Sequence, residues 1–331
     1  MFRKYNSIEN TYREEFLEKV RHLVPADERF VVQEKVHGAN LSFYTSDGVQ
    51  FAVAKRSGPV EKGENFYQAP EVRDRLLPQL VQLWELIAAN RPDLQQLHVF
   101  GELCGGSYPH PEVKRDPTAP RLQKGIHYSP RLEFYGFDLL VNGTEYLPVP
   151  TIAELFERTG MLYAKTLLTG TLEECLAYSN CFPTLLPRDL GLPELPDNTC
   201  EGVVIRPEHP CFFKSGARVL LKNKNDRWSE RSKTPRRERK PVEVPEQVAS
   251  LQHELLGYLT ENRLSNVLSK IGEVTLRDFG RVIGLFTADA WEDFEKDFGG
   301  ELNVLEKAEL KMVRASMGKQ AVPLVRQRLM R

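Results

Sequence analysis

In the segment EKVHGAN (Glu34–Asn40) the residue types and spacing suggest covalent chemistry. Lys35 follows the apolar run FVVQE and precedes a glycine turn, so its amine sits at a strand end where a bound molecule can reach it. A neutral lysine amine is a good nucleophile toward phosphorus. A free lysine, with a pKa of about 10.4, is almost wholly protonated at pH 7, so the site must supply positive charge nearby. Arg56, Lys222 and Lys224 offer it. Residues two apart in a strand point to the same side, so Lys222 and Lys224 can face one pocket. Glu102 in VFGEL, Phe137 in FYGFD and Glu201 in EGVVIRP stand at or beside strand-like runs. Each has an ordinary explanation when taken singly: an exposed lysine, a hydrogen-bonding His37, a strand-end acid, a core aromatic. The weight lies in their order along the chain.

The elements that must position these residues are α+β. Strand-like runs cover Phe30–Lys35, Leu41–Tyr44, Val49–Lys55, Leu97–Leu103, Leu132–Val141, Gly202–Arg206 and Val219–Lys222. Asp47-Gly48 and Asn142-Gly143 predict hairpin turns, hence antiparallel pairing. Thr151…Glu154 and Thr171…Glu174 match capping boxes, and Pro78–Ala89 has helical spacing with Pro78 in the first turn. After Lys240 the texture changes. PVEVPEQ reads as a hinge, and helical patterns follow over Gln247–Ile271, Leu276–Phe286, Ala288–Phe298 and Asn303–Met317, with Thr275 and Thr287 as N-caps. The expected domains are 1–240, carrying the chemistry, and 241–331, a small all-α domain.

The chain has 331 residues, 41% hydrophobic and 27% charged, which excludes a disordered or membrane-embedded class. No run of about 18 apolar residues is present, so no membrane span is expected. Five scattered cysteines without a C-x-x-C pair predict reduced thiols and an intracellular protein, cytoplasmic or within an organelle. The net charge of -1 hides a local excess: Lys214–Lys240 holds eleven basic and three acidic residues, a local +8 against -9 for the remainder. Such a stretch suits a polyanion, or equally a solvated linker.

The ordered set EKVHGAN, KRSG (Lys55–Gly58), FGE (Phe100–Glu102), FYGFD (Phe134–Asp138), EGVVIRP (Glu201–Pro207) and LLKNKN (Leu220–Asn225) resembles the covalent nucleotidyltransferase superfamily of polynucleotide ligases and capping guanylyltransferases. K-x-H-G-x-N, where DNA ligases and capping enzymes carry K-x-D-G, narrows the resemblance to double-strand-specific RNA ligases of the RNA ligase 2 type, phage enzymes and kinetoplastid RNA-editing ligases among them. MFRKYNSIEN, AKRSGP and the stretch Leu259–Leu285 extend the resemblance over nearly the whole chain. It implies a nucleotidyltransferase (ATP-grasp-like ligase) domain of antiparallel sheets with flanking helices, followed by the helical domain. It implies ATP and Mg²⁺ as the cofactors, with Mn²⁺ able to substitute for Mg²⁺, and nicked double-stranded RNA or an RNA/DNA hybrid as the partner. By the same resemblance, Lys35 becomes adenylated. Glu34 and Val36 meet the adenine through their backbone, Asn40 and Arg56 lie on the ribose side, Glu102 binds the ribose hydroxyls and Phe137 stacks on the base. Glu201 lies near the metal, directly or through water, Lys222 and Lys224 neutralise phosphate charge, and His37 assists. Arg227, Arg263, Lys270, Arg277 and Arg281 are candidate RNA contacts. Three positions depart from the pattern: Gln33 for Arg, Ala39 for Thr, and Arg206 for Lys, the last expected to preserve the pocket's charge.

Three other readings are kept, one of them a DNA ligase, which substrates differing only in the sugar of the 3′-OH strand would tell apart. A capping-type guanylyltransferase would take label from GTP rather than ATP. A non-catalytic duplex-RNA-binding protein would bind RNA without any covalent nucleotide.

Overall fold

FVVQE is buried over its whole length, as a central strand built from a short apolar run requires. The computed structural model to which it belongs describes residues 1–228 and 245–330. The basic run from Arg231 to Lys240 and the start of the expected hinge at Pro241 lie outside the described residues. The chain divides into two compact units, Met1–Arg227 and Trp228–Arg331.

In the first unit the elements are β1 (Glu9–Asn10), α1 (Glu14–Leu23), β2 (Phe30–Glu34), β3 (Ala39–Thr45), β4 (Ala52–Lys55), β5 (Gly58–Pro59), α2 (Ala69–Ala88), β6 (Leu97–Gly105), β7 (Leu132–Val141), β8 (Glu145–Tyr146), α3 (Val149–Thr159), β9 (Thr166–Gly170), α4 (Leu172–Leu176), α5 (Leu186–Asp189), β10 (Gly202–Pro207) and β11 (Leu221–Lys224). They form two sheets, in the order β1-β11-β10-β2-β9 and β5-β4-β3-β6-β7-β8. Every pairing is antiparallel except that of β1 with β11. Both hairpin signals hold. Asn142 and Gly143 adopt positive φ in the three-residue link (142–144) that joins β7 to β8.

Helices α2 and α3 cover one face of the second sheet, burying Leu41, Phe43, Val99, Leu80 and Phe156 together. The intervening residues Asn40 and Glu102, paired across β3 and β6, therefore turn to the opposite face. There Tyr5, Phe100, Leu140 and Leu220 form a small cluster joining the two sheets. The first sheet packs its outer side on α1 and α4 through Leu17, Val20, Val32, Ile205 and Cys175. The second unit is helical: α6 (Glu246–Leu256), α7 (Glu261–Ile271), α8 (Phe279–Asn303), α9 (Lys307–Ala315) and α10 (Met317–Leu329) enclose Val248, Leu255, Phe286, Phe294, Val313 and Val325. This is the expected α+β class with an all-α second part.

The helix boundaries differ in five places, one being the expected helix Asn303–Met317, which is divided between the end of α8, α9 and the start of α10. Helix α2 begins nine residues before Pro78, which sits in its interior and gives up one backbone bond there. Helix α3 starts at Val149 behind Pro148, so Thr151 lies within its first turn instead of capping it. The apolar spacing of 247–271 is broken by Gly257 and by Thr260, whose hydroxyl caps α7. Thr287 is also interior: its hydroxyl donates to the Ile283 carbonyl at 2.9 Å, the back-bonding that lets a threonine stay mid-helix. Thr171 and Thr275 cap as expected.

Candidate active site

Four residues, Lys35 to Gly38, carry the chain from β2 in one sheet to β3 in the other, so the candidate nucleophile stands where the sheets diverge. The Lys35 amide donates to the Gly202 carbonyl at 2.9 Å, extending the β2–β10 ladder by one bond and fixing the side chain beside Glu201. Gly38 has no room for a side chain: a Cβ would lie 2.0 Å from the Leu103 carbonyl oxygen. Gly202 sits at φ +142°, with Asn223 O 2.1 Å from where its Cβ would be. Gly38 lets the lysine turn approach β6, and Gly202 lets β10 and β11 close on each other.

Glu201 is the hub. Its carboxylate is 1% exposed; Oε2 lies 2.7 Å from Lys35 Nζ and Oε1 lies 2.7 Å from Lys224 Nζ. His37 Nδ1 stands 3.5 Å from Oε2. Burial by itself would push this carboxyl's pKa up, but Lys224, Lys35 and His37 outweigh it and hold the group well below the usual carboxylate range. Lys222, two residues before Lys224 on β11, shares that strand face.

Glu102 faces the same space. Burial pushes its pKa up to about 7, with Lys35 and Arg56 pulling it down and Glu201 pushing it up; the Gly38 amide donates to it. Arg56 is thus electrostatically coupled to Glu102, and Asn40 is Glu102's cross-strand partner. Phe137 is the one half-exposed residue of the otherwise buried β7, at a bulge, with its ring 4.9 Å from that of Tyr5. Val36 is buried, 6% exposed. Glu34 directs its side chain away from Lys35: it accepts from the Thr184 hydroxyl and from the Leu185 amide, the latter at 2.8 Å.

Sequence reasoning missed several supports. Asn225 donates to the Cys200 carbonyl at 2.6 Å and Asn180 to the Lys224 carbonyl at 3.0 Å, tying down the ends of β10 and β11. Arg206 belongs elsewhere than expected. It is 2% exposed and pairs with Asp138 at 2.8 Å, alongside Arg218 at 2.6 Å and the Tyr5 hydroxyl at 2.7 Å. Its charge is spent on this buried network rather than on the lysine pocket, and its other nitrogen donates to the Phe137 carbonyl at 2.6 Å. Nothing in GVVIRP distinguished an inward-facing arginine from a pocket one.

The RNA candidates divide. Arg277, Arg281 and Arg227 are exposed. Lys270 is partly exposed and pairs with Asp289 at 2.8 Å. Arg263 is a correction: its side chain is 1% exposed and locked to Asp289 at 2.6 Å and Asp293 at 3.0 Å, so it holds α7 to α8 and faces no ligand.

A family model described as RNA ligase matches residues 28–224, and one described as T4 RNA ligase 2 C-terminal matches 242–323. The chain belongs to the RNA ligase 2 family. It is an ATP-dependent RNA ligase, a covalent nucleotidyltransferase. Among curated relatives, the mitochondrial RNA-editing ligase 2 of Trypanosoma brucei brucei is 28% identical, over 90% of this chain and 84% of that one. The mitochondrial RNA-editing ligase 1 of the same organism is 32% identical over 82% and 71%. A solved RNA ligase of Naegleria gruberi aligns loosely, at 16% identity and a TM-score of 0.46. The alignment covers 69% of this ligase and 57% of that chain, too loose a likeness to add to the assignment. Among the described residues, no helix of this ligase is long and apolar enough to cross a membrane.

Proposed function

We propose that this ligase seals 3′-OH/5′-phosphate nicks in duplex RNA, or in RNA-containing hybrids, through a lysyl-AMP on Lys35 and an RNA-adenylate. The observation that supports it is the buried cluster in which Glu201 receives Lys35 and Lys224 at 2.7 Å each with His37 alongside. In the first step Lys35 Nζ, after giving up its ammonium proton, forms a bond to the α-phosphorus of ATP as the bond to the bridging oxygen breaks; pyrophosphate leaves and the second amine proton passes to water. In the second, an oxygen of the RNA 5′-phosphate takes the AMP and the lysine amine is released. In the third, the 3′-hydroxyl attacks that 5′-phosphorus and AMP departs. Each displacement builds charge on non-bridging oxygens, which Lys222 and Lys224 are placed to offset. Glu201 orients the Lys35 amine before attack. Asn40, Arg56 and Glu102 would take the ribose side, Phe137 the base face, and the Glu34 and Val36 backbone the base edge.

A divalent cation fits this donor set in one way. Among the described residues no three His, Cys, Asp or Glu side chains form an all-protein cage. Mg²⁺ needs only one or two carboxylates when phosphates and waters complete its shell. Glu201 would hold it, and because both its oxygens already receive ammonium groups, a contact through water suits it better than direct ligation. The metal would supply neutralisation of phosphate charge. We further propose that 1–240 carries the nucleotide chemistry and that 241–331, with the exposed Arg277 and Arg281, contributes RNA contacts.

The test is label transfer. The full chain with Mg²⁺ and α-labelled ATP should give a denaturant-stable label that Lys35→Ala abolishes, and the labelled enzyme should then seal a nicked RNA duplex. A label taken only from GTP, or no label from folded and unadenylated protein, would reject the proposal.

A further inference from the structure

The connection between β6 and β7 sends one short stretch back into the interior. Tyr128 is fully buried, and its hydroxyl accepts a hydrogen bond from the His37 backbone amide at 3.0 Å. One residue earlier, the His127 backbone is gripped at both polar atoms by Asn198. The His127 N–H donates to Oδ1 at 2.8 Å, and the Asn198 amide donates to the His127 carbonyl at 2.7 Å. Asn198 is itself buried and stands three residues before Glu201. Its carbonyl accepts from the Thr184 amide at 2.9 Å. Both ends of the stretch are anchored as well: Gln123 Oε1 accepts from the Gly105 amide at 3.2 Å, and the Ser129 carbonyl accepts from the Ser107 amide at 3.0 Å.

We propose that Gln123–Ser129 is a positioning strap that fixes the turn bearing Lys35 and His37 against the loop bearing Glu201, with Tyr128 and Asn198 as its positioning residues. Tyr128 holds the backbone of the lysine turn and its neighbour His127 holds, through Asn198, the approach to the glutamate, so the strap sets the Lys35–Glu201 and His37–Glu201 separations together. Neither residue reaches the reacting atoms; both act through backbone. A buried, satisfied polar network of this kind specifies one geometry, and a displacement of about 1 Å at a reacting centre can cost about a hundredfold in rate. The proposal rests on Lys35 being the AMP acceptor.

Tyr128→Phe keeps the ring and removes one oxygen. Single-turnover formation of lysyl-AMP by the full chain separates the burst amplitude, which counts active molecules, from the rate constant, which reports positioning. The expected result for Tyr128→Phe, and separately for Asn198→Ala, is a wild-type amplitude, ATP half-saturation within about twofold and a rate constant lower by about tenfold or more. The double variant should lose little more than the worse single, because one strap is cut twice. A wild-type rate constant in Tyr128→Phe, with or without a lower amplitude, overturns the strap, as do losses that multiply in the double variant. If Asn198→Ala fails to fold, Tyr128→Phe decides alone. Absence of a Lys35-dependent label in the wild type would instead overturn the functional reading beneath it.

Discussion

Two buried carboxylates beside Lys35 have opposite fates, and their neighbours decide which. Glu201 meets two ammonium groups and stays ionised despite full burial. Glu34 meets only a hydroxyl and one amide, and burial pushes its pKa up to about 7. Between about pH 4.5, where an unfolded glutamate titrates, and pH 7 the folded chain binds a proton that the unfolded chain has released. Stability therefore falls as pH rises through that window, and above it the ionised Glu34 costs about 3 kcal/mol. Glu34→Gln, neutral throughout, should gain on the wild type as pH rises. Thermal melts from pH 5 to pH 8 should show the difference in Tm between the two proteins moving by several degrees in the variant's favour, taking about 2–4 °C per kcal/mol for a unit of this size. Glu102 titrates in the same range in both proteins, so the difference isolates Glu34. Parallel curves would mean that Glu34 is ionised alike in the folded and unfolded chains.

At the scale of elements, the site depends on how closely the lysine turn approaches β6. Gly38→Ala would put a methyl group 2.0 Å from the Leu103 carbonyl oxygen, which is backbone and cannot swing aside. Either the turn or the strand end must move, and both carry site residues: Lys35 and His37 on one, Glu102 on the other. The variant should lose about 2 kcal/mol or more of stability. It should also form lysyl-AMP far more slowly at temperatures where it remains folded; a wild-type rate constant there would show that the turn adapts without disturbing Lys35. The site was legible in sequence while parts of its frame were not. Lys35, Glu201 and Lys224 were legible through the order of their motifs along the chain, since each taken singly has an ordinary explanation. Local signals misled where tertiary packing overruled them. Thr287 has the look of a cap, yet α8 runs through it because Val282, Phe286, Ala290 and Phe294 bury one continuous face. Tyr128 and Asn198 carried no signal at all, since their partners lie 91 and 71 residues away.

For the whole molecule, the question is which basic residues meet a polyanion. The net charge of -1 says nothing, and surface placement decides. Arg277 and Arg281 are exposed, whereas Arg263, equally plausible on paper, is consumed by Asp289 and Asp293. These two kinds of arginine should respond differently to substitution. Each phosphate contact contributes about -0.7 to -0.9 to the slope of log K against log salt concentration. Arg277→Gln with Arg281→Gln should therefore flatten the slope for a nicked RNA duplex by about 1.5, with Tm within a degree or two of the wild type. Arg263→Met should do the reverse. It removes the buried partner of two partly exposed carboxylates that keep Lys270 and Lys296, so the second unit should lose about 1.5–3 kcal/mol. Where that variant remains folded, its salt slope should match the wild type, because no phosphate ever reached Arg263. Fluorescence anisotropy over a salt series, paired with melts of the same proteins, checks both. An unchanged slope in the Arg277/Arg281 double variant would move the RNA path off this face of the helical unit.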